Sequence, residues 1–209
     1  FRILDKIAAS NDKALVFLES LELQPILAQV LKERYSLLKL PLIINGKVSG
    51  VSRQNAVNEF QEEATGFNVM LISPKAGGVG LTLTAANNVI HLERWWNPAV
   101  EEQCNDRVHR IGQTKPVQVH VPMAIHPGLG AQSFDCLLQS LMQRKRRLAA
   151  QALWPMGDTK ADLSILVDGL TQKPPAGTQT SLNDCMAELY RRDGLASTEA
   201  NADKAWPMP

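Results

Sequence analysis

Val69-Met70-Leu71-Ile72-Ser73-Pro74-Lys75-Ala76-Gly77-Gly78-Val79-Gly80-Leu81-Thr82-Leu83-Thr84 carries an uninterrupted apolar segment straight into a glycine-rich turn. A half-buried strand would alternate apolar and polar residues. A continuous run of this length instead suits a strand buried on both faces, as in a parallel sheet. Similar short runs at residues 14–18, 41–44 and 89–92 are read as further strands, and Pro116-Val117-Gln118-Val119-His120-Val121 as a fifth. Helical patterns lie between these runs. Leu23, Ile26, Leu27, Val30 and Leu31 make one, Ser52 is placed to cap another carrying Val57 and Phe60, and a third is expected after Pro98. Strand–helix repetition of this kind gives an α/β fold, a doubly wound parallel sheet with helices on both faces.

Downstream of His126-Pro127-Gly128 the pattern changes. Phe134, Leu137, Leu138, Leu141 and Leu148 fall on helical spacing and define a long amphipathic helix that includes Arg144-Lys145-Arg146-Arg147, with Pro155 ending it. A short helix is expected around residues 163–170. Lys173-Pro174-Pro175-Ala176-Gly177 is linker-like, and Ser181 with Asp184 signals a small helix through Tyr190. The final Trp206-Pro207-Met208-Pro209 suggests no regular structure.

Composition narrows the class. A hydrophobic share of 44% and a charged share of 21% are those of a globular protein, and no apolar run is long enough for a membrane helix. The chain starts at Phe1 with no secretory leader, so it is expected to be a piece of a longer protein. Cys104, Cys136 and Cys185 form no CxxC pair, and His91, His109, His120 and His126 show no metal spacing, so no metal site is expected. A net charge of +1 excludes a protein that coats nucleic acid through bulk charge alone. Any such contact must come from a few placed groups.

Three constellations could supply them. In the glycine segment, Gly77, Gly78 and Gly80 let backbone N–H groups approach a phosphate closely, and a following helix start would add a favourable dipole. The other reading is a tight strand-to-helix turn. The segment is not a Walker A loop, since it lacks the Gly-Lys-Ser/Thr ending. In Gln103-Cys104-Asn105-Asp106-Arg107-Val108-His109-Arg110-Ile111-Gly112-Gln113, a continuous helix would put Gln103, Arg107 and Arg110 on one face. Two converging guanidiniums suit a multiply charged anion. The bland reading is a solvated face in which Asp106 pairs with Arg110, worth about 0.3–0.5 kcal/mol. Arg94-Trp95-Trp96-Asn97-Pro98 puts two aromatics at a strand end, of which at most one is expected to pack inward.

Taken in order, residues 69–121 resemble motifs V, Va and VI of the SWI/SNF helicase family. The pieces are Ala76-Gly77-Gly78-Val79-Gly80-Leu81, Thr84-Ala85-Ala86, Trp96-Asn97-Pro98, Gln103, and Asp106-Arg107-Val108-His109-Arg110-Ile111-Gly112-Gln113. Leu15-Val16-Phe17 resembles motif IV; Asn45-Gly46, Arg53 and Phe60 resemble the next element; and residues 133–153 are similar to the family's brace helix. The double Trp and the Pro98-Ala99-Val100-Glu101 run look like bacterial members.

The resemblance implies a RecA-like C-terminal helicase lobe over residues 1–125, a brace helix and short helix over 126–170, and an irregular tail over 171–209. It implies half of an ATP-hydrolysing double-stranded DNA translocase. ATP and Mg²⁺ would be held by an N-terminal RecA-like lobe, and the fragment alone would be inactive. Arg107 and Arg110 would act as arginine fingers beside Gln103, Gly77, Gly78 and Gly80 would line the cleft, and Lys75, Thr82, Thr84, Trp96 and Asn97 would meet DNA. DNA-bound proteins would be a further class of partner. The setting would be a bacterial cytoplasm, associated with the nucleoid, in transcription, repair or phage defence. A non-catalytic docking module and an RNA unwinding enzyme are the rival readings. Two positions depart from the family pattern. Leu18-Glu19 replaces Ser-Gln, putting a carboxylate where it would repel phosphate, and Pro74 removes an N–H ahead of the glycines.

Overall fold

The computed structural model describes residues 1–62, 66–76, 80–150, 159–172 and 181–193. These divide into two compact units, one ending at Pro122 and the other beginning at Met123.

The first unit is built on five parallel strands. β1 (Lys13–Phe17), β2 (Leu42–Ile44), β3 (Asn68–Ile72), β4 (Asn88–His91) and β5 (Gln118–His120) lie in the order β2-β3-β1-β4-β5. The register places Leu15 beside Met70 on one side and Val89 on the other, so β1 is the central strand. Every residue of β1 is buried. The two sheet faces feed separate cores because side chains alternate along a strand. Leu15 and Phe17 join Met70, Ile72 and Val89 beneath Val57 and Phe60 of α3 (Gly50–Glu62). Ala14, Val16 and Leu18 join Val69, Leu71 and Ile90 on the other face, against Ala28 and Leu31 of α2 (Leu23–Arg34).

That second face is also covered by α1 (Arg2–Ala9), which buries Leu4 and Ile7. The sequence pattern does not announce this helix. Its signal was present in Ile3, Leu4 and Ile7, but eight residues with a single apolar turn are too few to stand out. The cap of α3 also falls earlier than expected. Helix begins at Gly50, and the hydroxyl of Ser49 accepts the backbone N–H of Ser52, so Ser49 and not Ser52 holds the first turn.

Two further departures bear on function. No helix follows the glycine segment: residues 80–87 run irregularly to β4, with Gly80 at φ +40°. Leu81 and Leu83 alternate inward past exposed Thr82, which anchors this stretch as extended chain, so residues 80–87 supply no helix dipole to a phosphate. The helix after Pro98, α4 (Pro98–Asn105), stops before either arginine. Residues 106–108 form a turn, and the Arg107 carbonyl accepts the N–H of Leu83 at 2.8 Å. Val108, fully buried, anchors the bend in the core. The shared helix face proposed for Gln103, Arg107 and Arg110 therefore does not exist.

In the second unit, α5 (Phe134–Ala150) buries Leu138, Leu141 and Met142, while Phe134 stays largely exposed. The basic run on α5 is partly engaged: Lys145 pairs with Asp162 of α6 (Thr159–Thr171), and Arg147 donates to the Asp193 carbonyl at 2.6 Å. A Cβ at Gly169 would lie 2.9 Å from the Leu137 side chain, so this glycine permits the close approach of α5 and α6. Arg192 of α7 (Leu182–Arg192) donates to Ser140 Oγ, the Ala131 carbonyl and the Cys136 carbonyl. Ser181 caps α7 as expected, accepting the N–H of Asp184. The expected stop at Pro155, the linker at residues 173–177 and the terminal Trp206–Pro209 stretch lie outside the described residues.

Candidate functional site

The bend after α4 and the chain leaving the glycine segment are laced together by side chains of the Asp106–Gln113 motif. Gln113 Nε2 donates to the carbonyls of Ala86 at 2.7 Å and Thr84 at 3.1 Å. From the other side, Gln61 Oε1 accepts the Ala85 N–H at 2.7 Å and its Nε2 donates to Thr84 Oγ1 at 3.2 Å. Arg110 Nη1 donates to the Gly80 carbonyl and to Thr82 Oγ1, at 3.3 and 3.1 Å. The exposed Arg110 thus turns to the glycine-segment exit, the alternative to the surface pair with Asp106. Gln61 was not singled out in the sequence, because a polar helix residue gives no signal until its partner loop is known.

Arg107 differs from every other group in this bend. It is buried, and its Nε has no hydrogen-bond partner. Burial first, and the like charge of Arg110 second, hold its pKa below the ordinary arginine value. Arginine stays protonated even so. A buried donor without an acceptor costs about 1–3 kcal/mol, and folding tolerates such a group where something else uses it. Gln103 is exposed on the last full turn of α4. Gly80 is placed at the loop exit, whereas Gly77 and Gly78 lie outside the described residues.

A second cluster sits at the carboxyl ends of β1, β3 and β4, the end where open α/β sheets bind ligands. Lys75 Nζ lies 2.9 Å from Glu19 Oε1 and 4.7 Å from the centre of the Trp95 ring. Glu19, expected to repel phosphate, is thus paired with a lysine expected to bind it. Both Trp95 and Trp96 are half-buried, so neither is a core residue. The Asn97 side-chain oxygen caps α4 by accepting the Ala99 N–H, and Pro98 opens the helix where a missing N–H does no harm. Behind this loop Arg94 meets Glu101 through two parallel bonds of 2.9 and 3.0 Å, with both side chains almost fully buried. This clamp was not foreseen, since seven residues separating an arginine and a glutamate is no recognisable motif.

His91 Nε2 is 2.9 Å from Asn105 Oδ1, and its ring stacks on Phe17, a structural role. Burial pushes the Cys104 thiol up to about 12, which leaves it unreactive. Among the described residues no group of three or more His, Cys, Asp or Glu is placed to hold a metal ion, and no helix is long and apolar enough to cross a membrane.

Residues 1–112 match the helicase conserved C-terminal domain. The chain belongs to this helicase family, in its SWI/SNF branch. The chain is 34% identical over 152 residues to the putative ATP-dependent helicase/translocase YwqA of Bacillus subtilis, covering 73% of this chain and 16% of that protein. It is 37% identical over 166 residues to the Zorya protein ZorD of Escherichia coli, covering 77% of this chain and 15% of that protein. Among solved structures, the C-terminal part of the Fun30 ATPase domain superposes with a TM-score of 0.62 at 25% identity, over 80% of this chain and 50% of that one. The Sulfolobus solfataricus SWI2/SNF2 ATPase core in complex with double-stranded DNA gives 0.57 at 25%, over 83% and 35%. This helicase domain therefore has the RecA-like C-lobe fold of SWI/SNF ATPases, and spans about a sixth of the curated relatives named above.

Proposed function

We propose that this chain is the second motor lobe of an ATP-driven translocase on double-stranded DNA. The observation that carries the proposal is Arg107: a buried arginine whose Nε has no acceptor, three residues from an exposed arginine bonded to the glycine-segment exit. A phosphate oxygen would supply the missing acceptor. ATP and Mg²⁺ would be held chiefly by an N-terminal RecA-like lobe. Hydrolysis of the bound nucleotide supplies the driving free energy.

This chain's own part is charge and coupling. Arg107 and Arg110 stabilise negative charge growing on the terminal phosphoryl oxygens, and Gln103 faces the same cleft. To reach a phosphate, Arg110 would loosen its hold on Gly80 and Thr82, which transmits nucleotide state to the glycine segment. Gly77, Gly78 and Gly80 would line that path. Lys75, Thr82, Thr84, Trp96 and Asn97 would meet the DNA backbone, so that cycles at the cleft become steps along the duplex. DNA-bound proteins are then the objects moved or displaced, in a cytoplasm and, with bacterial relatives in view, on a nucleoid. The solved complex of the Sulfolobus core with double-stranded DNA supports the choice of duplex.

The test is ATP turnover by the full-length protein with duplex DNA, with single-stranded RNA and with neither. The expected result is turnover stimulated most by duplex. Turnover absent under all three conditions would indicate a docking module, and stronger stimulation by RNA would indicate an RNA enzyme.

A further inference from the structure

The cluster at the strand ends contains an internal anion. Glu19 Oε1 lies 2.9 Å from Lys75 Nζ, and its Oε2 accepts the Ser73 hydroxyl at 3.3 Å. An ammonium and a hydroxyl held by one carboxylate form the donor set that a phosphodiester oxygen would use. The loop presenting Glu19 is itself fixed, because Glu93 Oε2 accepts the backbone N–H groups of Glu19 and Ser20 at 2.7 and 3.0 Å. Trp95 fixes the other side by lying under the Lys75 ammonium. Two carboxylates therefore stand against one lysine on this face, where a bare duplex would arrive with more negative charge.

We propose that Glu19 is a gate on the DNA-binding face: its carboxylate holds Lys75 and Ser73 in place of a backbone phosphate, and duplex engages this corner only by displacing it. The inference rests on the translocase reading. Displacement is feasible because the lysine side chain is 66% exposed and the carboxylate 37% exposed, so solvent and salt already weaken the pair. The gate sets affinity, since phosphate gains Lys75 only as Glu19 loses it. With Glu19 closed the corner contributes no net positive charge, and one phosphate contact fewer enters the salt dependence.

The experiment measures binding of the full-length protein to a labelled DNA duplex across a salt series. Wild type is compared with Glu19→Gln, Glu19→Ser and Glu22→Gln, the last removing an exposed charge from the same loop. Both Glu19 variants should bind about two- to fivefold more tightly, the equivalent of an exposed ion pair. Their plots of log affinity against log salt should steepen by up to about 0.9, one phosphate contact. Glu22→Gln should bind as wild type does. Unchanged or weaker binding by both Glu19 variants, with wild type binding normally, overturns the gate and leaves the translocase reading standing. An equal gain from Glu22→Gln also overturns it, because bulk charge would then explain the effect. Absence of duplex binding by every form overturns both.

Discussion

Arg94 and Arg107 are buried arginines at opposite ends of α4, and their surroundings could hardly differ more. At the amino end the charged and capping groups find partners within the fold. Arg94 forms a two-pronged pair with Glu101, and Asn97 caps the first turn. At the carboxyl end the helix breaks, Arg107 gives its carbonyl to Leu83, and its Nε has no acceptor. A guanidinium answered by a carboxylate inside the fold holds structure. An Nε left without an acceptor carries a desolvation cost that the Arg94 pair does not. On the proposed function, the two ends separate an arginine that builds the lobe from one that meets a ligand.

Folding stability offers the direct way to break that comparison. Glu101→Ala should have the largest effect, about 3–5 kcal/mol, because it removes the two-pronged carboxylate partner of a buried guanidinium. Urea unfolding of the chain measures it, and a loss below about 1 kcal/mol would mean the clamp is no stronger than a surface pair. Gln113→Ala comes next. Removing its donors from the Thr84 and Ala86 carbonyls should cost about 1–3 kcal/mol in the same assay. Asn97→Ala should cost about 1 kcal/mol through the lost cap. Arg107→Met should have the smallest effect, within about 1 kcal/mol of wild type or slightly stabilising, because it replaces an unsatisfied donor with an apolar chain of similar length. A destabilisation by Arg107→Met as large as that by Glu101→Ala would erase the distinction between the two ends.

The inner strands were legible in sequence because they are buried on both faces, which leaves uninterrupted runs such as residues 69–72 and 14–18. α5 was legible because Leu138 and Leu141 sit on one stripe. What escaped was decided by partners distant in sequence. The end of α4 at Asn105 depends on Leu83 taking the Arg107 carbonyl and on Val108 filling the core, neither of which a helical pattern encodes. Extended chain in place of a helix after Gly80 is fixed by Gln61 and Gln113 gripping it from two sides. Arg107 and Arg110 stand out in the sequence by residue type and spacing. Their contrast in burial and bonding needed coordinates, as did the pairing of Lys75 with Glu19.

The central claim is that Arg107 acts on the reacting phosphate. Steady-state ATP turnover of the full-length protein at saturating duplex DNA tests it most directly, with Arg107→Ala and Arg107→Lys beside wild type. Arginine fingers in phosphoryl transfer contribute about 10³–10⁵ in rate, equivalent to about 4–7 kcal/mol of barrier. The expected result is a fall in kcat of that order for Arg107→Ala, with duplex affinity and folding stability nearly unchanged. Arg107→Lys should recover little, because an ammonium cannot reproduce the planar fork. Turnover by Arg107→Ala close to wild type would contradict the account and make this buried arginine a structural residue.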